Sequence, residues 1–394
     1  MTLDNSERPA RSDTDPAPRQ SIASLAANGL IIFASILVSL LIAEAGYRVA
    51  TGIALFDPTD WRADNFRFSR IGDRAIPDPL LGWTLKDNYR GNGFTTTSRY
   101  GARRNFDETE LRTGGILAVG DSFTEGFDQV TDSETWPAHL EKTLGTPVVN
   151  GAVAGYATDQ IILRAEQLLP VVEPKTLIVG FTEVDIYRSA LSESGAPKPY
   201  FTIEDGGLVY HPPGPIDPMD KESVLGSALR DVLGHSALGN YVFSRLTPDF
   251  WYPSEASVYH EVENQPIDIT CLLLGRLKQK TQEKGVRMLL FLQYGGEIVL
   301  EEPGIVPDMK IVTECAQKAG IQVVDQFAPL KALTHGTPDL VAEYYTQYEN
   351  GEFGHMSSKG NEHAASVLAQ ALKAVEPAPV NAQLEKEKQE LLPN

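Results

Sequence analysis

The sequence predicts an α/β fold, a doubly wound parallel sheet of about five strands within residues 114–375. Short, fully apolar runs alternate there with longer segments of helical period, and strands without a polar face belong in a sheet covered on both sides. A serine stands directly after the first run, at the carboxyl end of a strand, where the ligand crevice of such a sheet opens. The predicted strands are ILAVG (116–120), PVVN (147–150), TLIVGF (176–181), RMLLFL (287–292) and QVVD (322–325). WPAHLEKTL, ATDQIILRAEQLL, DITCLLLGRLKQKTQEKG, MKIVTECAQKAG and SSKGNEHAASVLAQALK read as the helices. Between about 189 and 265 the alternation gives way to a Pro- and Gly-rich insert, in which Asp205-Gly206-Gly207 between FTI and LVY predicts a hairpin. The insert follows the third strand and is read either as a lid or as surface elaboration.

Ahead of the sheet, residues 1–20 are polar and Pro-rich and read as a disordered tail. Residues 21–43 carry no charge, and a helix of that length covers the ~30 Å hydrocarbon core of a bilayer. A membrane anchor over 21–46 is favoured over a cleaved signal peptide, because the tail before it contains Asp4, Glu7, Asp13 and Asp15. A buried core helix ranks third. Arg8, Arg11 and Arg19 precede the run, against Arg48 and Arg62 after it, which places the remaining chain outside the cytoplasm, in the periplasm. Residues 47–113 are turn-rich and read as an extension packed on the sheet domain, and 376–394 as a solvated tail.

Acidic residues number 53 against 34 basic ones, a net charge of −19, which excludes a nucleic-acid partner. The seven histidines are scattered and no CxxC, HxH or HExxH occurs, so neither a metal nor another cofactor is expected. Cys271 and Cys315 fall in consecutive helices; one disulfide is open to them, two buried free thiols being the commoner outcome.

The chemistry is carried by Gly120-Asp121-Ser122-Phe123-Thr124-Glu125-Gly126 after the first strand. A serine at such a turn can attack through its hydroxyl and face a developing oxyanion with its own N–H, although Asp121 and Ser122 are also ordinary helix caps. Near the C-terminus, Glu352-x-x-His355 precedes the last helix and supplies a base and a carboxylate on one loop. Together these motifs resemble the SGNH, or GDSL-type, serine hydrolases, over roughly 115–373. The resemblance implies a flavodoxin-like sheet, Ser122 as nucleophile, His355 as base and Glu352, where the family usually has Asp, as the residue holding the imidazole. Asp325 is the backup carboxylate and His363 the rival base. The second family block matches Asn150 through Gly155, with Gly155 as a backbone oxyanion donor and Asp121, Asn150 and Asp185 in support. The third block departs, since Val184 stands where the family has a donating Asn; Thr182, two residues earlier along an extended strand, is the substitute. The function implied is a serine esterase or O-acyltransferase acting on an acyl ester of a glycan or lipid. The alternative is an inactive accessory or binding subunit of an envelope complex.

Overall fold

The computed structural model describes residues 22–56, 74–90, 93–108, 110–214, 230, 232–247, 251, 259–348 and 351–374. The tails expected at 1–20 and 376–394 and parts of the insert lie outside these residues. The described residues group into two compact units, one within 1–62 and 221–252, the other within 63–220 and 253–394.

In the first unit helix α1 (Ile22–Thr51) carries the uncharged run from Ile22 onward. Its large apolar side chains are uncovered, Leu30, Phe33 and Ile42 being 69%, 66% and 68% exposed. That removes the core-helix reading. Within the 25 residues Ala27–Thr51, an 18-residue window of mean hydropathy 2.2 has none of its residues buried, which leaves a membrane span or an export signal.

In the second unit five strands form one parallel sheet. They are β1 (Ile116–Val119), which leads into the short helix α2 (Ser122–Glu125), then α3 (Trp136–Leu144), β2 (Val148–Asn150), α4 (Thr158–Val172), β3 (Thr176–Phe181) and α5 (Glu183–Arg188). After the insert, whose α6 (Ala237–Leu246) belongs to the first unit, come α7 (Pro266–Glu283), β4 (Arg287–Leu292), α8 (Pro307–Lys318) and β5 (Gln322–Asp325). A small antiparallel pair, β6 (Tyr345–Gln347) and β7 (Phe353–Met356), and helix α9 (Ser358–Lys373) close the domain. The strand order is 2-1-3-4-5, the flavodoxin-like order, with every neighbour parallel. The expected hairpin forms between residues 200–204 and 207–211.

Strands β1 to β4 are buried along nearly their whole length because helices cover both faces, whereas β5 at the sheet edge is half-buried. On one side α3 packs on α9, where Trp136 N–H donates to Asn361 Oδ1 at 2.9 Å. On the other, α4 packs on α7 and α7 on α8. Helix boundaries follow local chemistry: Thr135 caps α3 and Gly145 ends it in the left-handed region, while Ser357 caps α9 through the Gly360 N–H. Cys271 of α7 and Cys315 of α8 form a disulfide, not two free thiols, because the packing of these two helices brings their Cα atoms to 5.8 Å.

Candidate active site

Glycine alone fits at two points around the turn between β1 and α2, Gly120 in the turn itself and Gly180 in the neighbouring strand β3. A Cβ on Gly120 would lie 2.2 Å from Thr124 Oγ1, and one on Gly180 would lie 2.6 Å from the same atom and 2.7 Å from Gln293 Oε1. The chain can therefore turn sharply at the sheet's carboxyl edge. Asp121 caps α2 by accepting from Phe123 N–H at 2.9 Å, and Gly126 ends the helix at φ +95°. Ser122 is the first residue of α2, 8% exposed, and its N–H donates no hydrogen bond among the described residues.

His355 arrives from 233 residues away and sets Nε2 2.7 Å from Ser122 Oγ. Three contacts hold the ring. Its backbone N–H donates to Gln129 Oε1 at 3.1 Å, Phe127 stacks on it at 5.0 Å, and Phe123 lies against it at 5.1 Å. Phe127 takes φ +44°, a left-handed backbone that a bulky residue adopts only under constraint, and so aims its ring at the imidazole. Burial, with the Arg188 and Arg74 guanidinium groups nearby, pulls the imidazole pKa down to about 4. At neutral pH the ring is thus uncharged and able to accept the serine proton.

The second block is tied to the same turn. Asn150 at the end of β2 donates to the carbonyls of Thr124 and Glu125 at 3.2 and 3.3 Å, and its Oδ1 accepts from Ala152 N–H at 3.3 Å. Glu125, fully buried, accepts the Ala154 N–H at 2.8 Å. Gly155 follows at φ +78°, and its N–H, like that of Ser122, donates to no described residue. The loop carrying Gly155 meets the Ser122 turn where Val153 N–H donates to Gly120 O at 3.1 Å.

The third block differs from the expectation. The strand stops at Phe181, and residues 183–188 are helical, so Thr182 and Val184 do not share the face of an extended strand. Thr182 is the N-cap of α5, its Oγ1 and N–H both donating to Asp185 Oδ2 at 3.2 and 2.9 Å. Its hydroxyl proton is thus taken by the Asp185 carboxylate. Val184, 44% exposed on α5, donates nothing. Asp185 also accepts from Arg188 at 2.7 Å. Burial raises the carboxyl pKa values of both Asp121 and Asp185, Asp121 further because Asp185 lies beside it.

The Glu352 assignment also requires correction. His355 Nδ1 is buried with no hydrogen-bond partner among the described residues, so the Glu352 carboxylate does not hold it. The expectation placed both residues on one loop, whereas His355 lies in β7 and Glu352 immediately precedes that strand. Three residues along extended chain span about 10 Å and point to opposite faces. Asp325 instead caps the following helix through Phe327 N–H at 2.8 Å. His363 packs on Tyr344 in α9, with ring centroids 5.8 Å apart, and does not contact Ser122. A carboxylate that sequence reasoning passed over, Glu183, has a buried Oε2 without a hydrogen-bond partner, and burial raises its pKa.

The extension before the sheet supports the site through charged residues that are buried. Arg103 donates from Nη1 to the Glu125 and Phe127 carbonyls at 2.8 and 2.9 Å, from Nη2 to Val130 O at 2.7 Å, and pairs with Asp132 at 2.9 Å. Arg74 lies 3.4 Å from Glu125 and over the Phe127 ring. Trp83 donates to Ala154 O at 3.3 Å and accepts, through its carbonyl, from the Tyr156 hydroxyl at 2.6 Å. Only Glu125, inside the serine motif, had a local signal that could have flagged it.

No family model matches the chain, and no curated protein matches it. Among solved structures it is similar to a lipase/acylhydrolase from Enterococcus faecalis, at 13% identity over 68% of this chain and 100% of that one, with a TM-score of 0.37. It is similar to an acetyl-xylooligosaccharide esterase from a Geobacillus species, at 13% identity over 66% and 94% of the two chains, TM-score 0.37. A third likeness is to a protein from Desulfitobacterium hafniense described as lipolytic and of the G-D-S-L family, at 12% identity, 66% and 99% coverage and a TM-score of 0.35.

Proposed function

We propose that this chain is an SGNH-type serine esterase or O-acyltransferase, held to a membrane by α1 with its sheet domain outside the cytoplasm. One observation carries the reading: the 2.7 Å contact between Ser122 Oγ and an uncharged His355 Nε2 at the carboxyl edge of the sheet. His355 takes the serine proton as Oγ attacks the ester carbonyl, and returns it to the leaving alcohol. The N–H groups of Ser122 and Gly155 receive the negative charge that develops on the carbonyl oxygen. The resulting acyl-Ser122 is resolved by water in a hydrolase or by a second hydroxyl in a transferase. The substrate class is an acyl ester of a glycan or lipid. Location outside the cytoplasm is supported by α1 and by the Cys271–Cys315 disulfide, since such bonds persist in oxidising compartments.

For the carboxylate that meets His355 Nδ1 in the working enzyme the reading favours Glu183, whose buried oxygen is unsatisfied, over Glu352, which has the motif spacing alone. A non-catalytic reading draws on the missing side-chain donor at Val184. Labelling with a fluorophosphonate separates the two readings, because an activated serine reacts and an unactivated one does not. Labelling that disappears in Ser122→Ala supports the enzyme. A folded wild-type protein that never labels supports the accessory subunit.

A further inference from the structure

The uncharged run ends at Ala43, and the first charged group after it is engaged with another helix. Glu44 accepts from Ser236 Oγ at 2.6 Å, from Ala237 N–H at 2.9 Å and from Leu238 N–H at 3.0 Å, so it caps the N-terminus of α6. Arg48, one turn further along α1, pairs with Glu44 and donates to the His235 carbonyl at 2.8 Å. The two charges nearest the end of the apolar run thus pin the first turn of α6 at the level where that run stops.

The composition of α6 suits that level. Its sequence, ALGNYVFSRL, has a single charge, Arg245. Its inner side is fixed by Asn240, whose Oδ1 accepts from Trp251 Nε1 at 2.9 Å, and by Phe243 stacked on Trp251. The other side is uncovered: Tyr241 is 43% and Leu246 76% exposed. Arg245 lies over the Tyr241 ring at 4.0 Å, and Tyr241 packs on Tyr47 of α1 at 5.3 Å. Val49, Leu55 and Phe56, just past the apolar run, are uncovered as well. Aromatic rings, an arginine that can lift its charge toward headgroups and exposed aliphatic side chains are the residues found where hydrocarbon meets water. In water, the same set is an apolar patch without a cover.

We propose that α6 lies on the bilayer surface beside the exit of α1, with Tyr241 and Leu246 in the headgroup–acyl boundary and a lipid surface as its occupant. Continuity with α1 argues for lipid over protein, because the helix that spans the bilayer and the helix that would rest on it are joined by Glu44 and Arg48. The inference rests on the membrane-anchor part of the proposed function and is independent of the esterase chemistry.

The test uses the full chain, with its disulfide intact, in vesicles of phosphatidylethanolamine and phosphatidylglycerol. Spin labels are attached at Leu246→Cys, at Tyr241→Cys and, as an aqueous reference, at Lys310→Cys, an exposed position on α8. Collision with oxygen, which concentrates in lipid, is compared with collision with a water-soluble nickel chelate. Labels at 246 and 241 should favour oxygen by several-fold over the label at 310. Labels at 246 and 241 as open to nickel as that at 310, in a chain that resists carbonate extraction, would overturn the placement of α6 and leave the anchor standing. Extraction by carbonate would overturn the anchor itself. Label-to-label broadening at 246 without oxygen preference would assign the face to a second copy and refute the lipid assignment.

Discussion

The imidazole of His355 provides a quantitative test. Burial beside Arg188 and Arg74 pulls its pKa to about 4, against an ordinary value of about 6.5. The kcat/KM for an uncharged ester follows the fraction of neutral imidazole in the free enzyme. At pH 5 that fraction is about 90% with the depressed pKa and about 3% with the ordinary one, so the predicted rate differs by about 30-fold. The assay is pH-stat hydrolysis of a small neutral ester between pH 3.5 and 8, corrected with Ser122→Ala. A plateau reaching down to pH 5 is expected, and an inflection between 6 and 7 would refute the electrostatic account. Arg188→Gln removes one of the two charges that disfavour imidazolium, so its inflection should move upward; a downward move contradicts the argument. Stability has the same sign. Between pH 6.5 and 4 the unfolded chain binds the proton that native His355 refuses, so His355 lowers stability as pH falls through that window, by about 3 kcal/mol at most. The raised carboxyls of Asp121, Asp185 and Glu183 act in the opposite sense, and comparing melting curves of wild type and His355→Gln isolates the imidazole.

Three further outcomes are expected. Glu183→Gln should lower kcat and shift the acid limb of the pH profile while Glu352→Gln does little; the reverse pattern would return the orienting role to Glu352. Gly180→Ala should destabilise by about 1–3 kcal/mol in denaturant titration, because its Cβ would meet Thr124 Oγ1 at 2.6 Å and Gln293 Oε1 at 2.7 Å, both on buried side chains; unchanged stability would show that the turn has slack. Cys271→Ser with Cys315→Ser should cost about 4 kcal/mol by loop-closure entropy for a separation of 44 residues, read as a lower Tm that reductant reproduces in wild type but not in the variant.

What the sequence determined by itself is what local pattern can carry. Five apolar runs between amphipathic segments specify a covered parallel sheet, since any strand without a polar face must be covered twice. Ser122 was legible because the turn after β1 needs Gly120 and a capping Asp121, all within a few consecutive residues, and the uncharged run of α1 was legible by length alone. His355 was found from its motif, but its distance to Ser122 was not, because 233 residues of chain lie between them. The misreadings share a cause. Glu352 was placed by spacing, but spacing reaches a side chain only if the local backbone is known, and β7 is a strand where a loop was expected. Thr182 failed for the converse reason, since the chain becomes helical after Phe181 and its hydroxyl donates to Asp185 in the first turn of that helix. Arg103, Arg74 and Glu125 carry charges that a sequence reads as solvent-exposed. Only the tertiary structure, by bringing backbone carbonyls and opposite charges around them from several loops, makes their burial affordable and places them beneath the site. The pairing of Cys271 with Cys315 was likewise decided by how two helices pack, and no pattern along the chain records that distance.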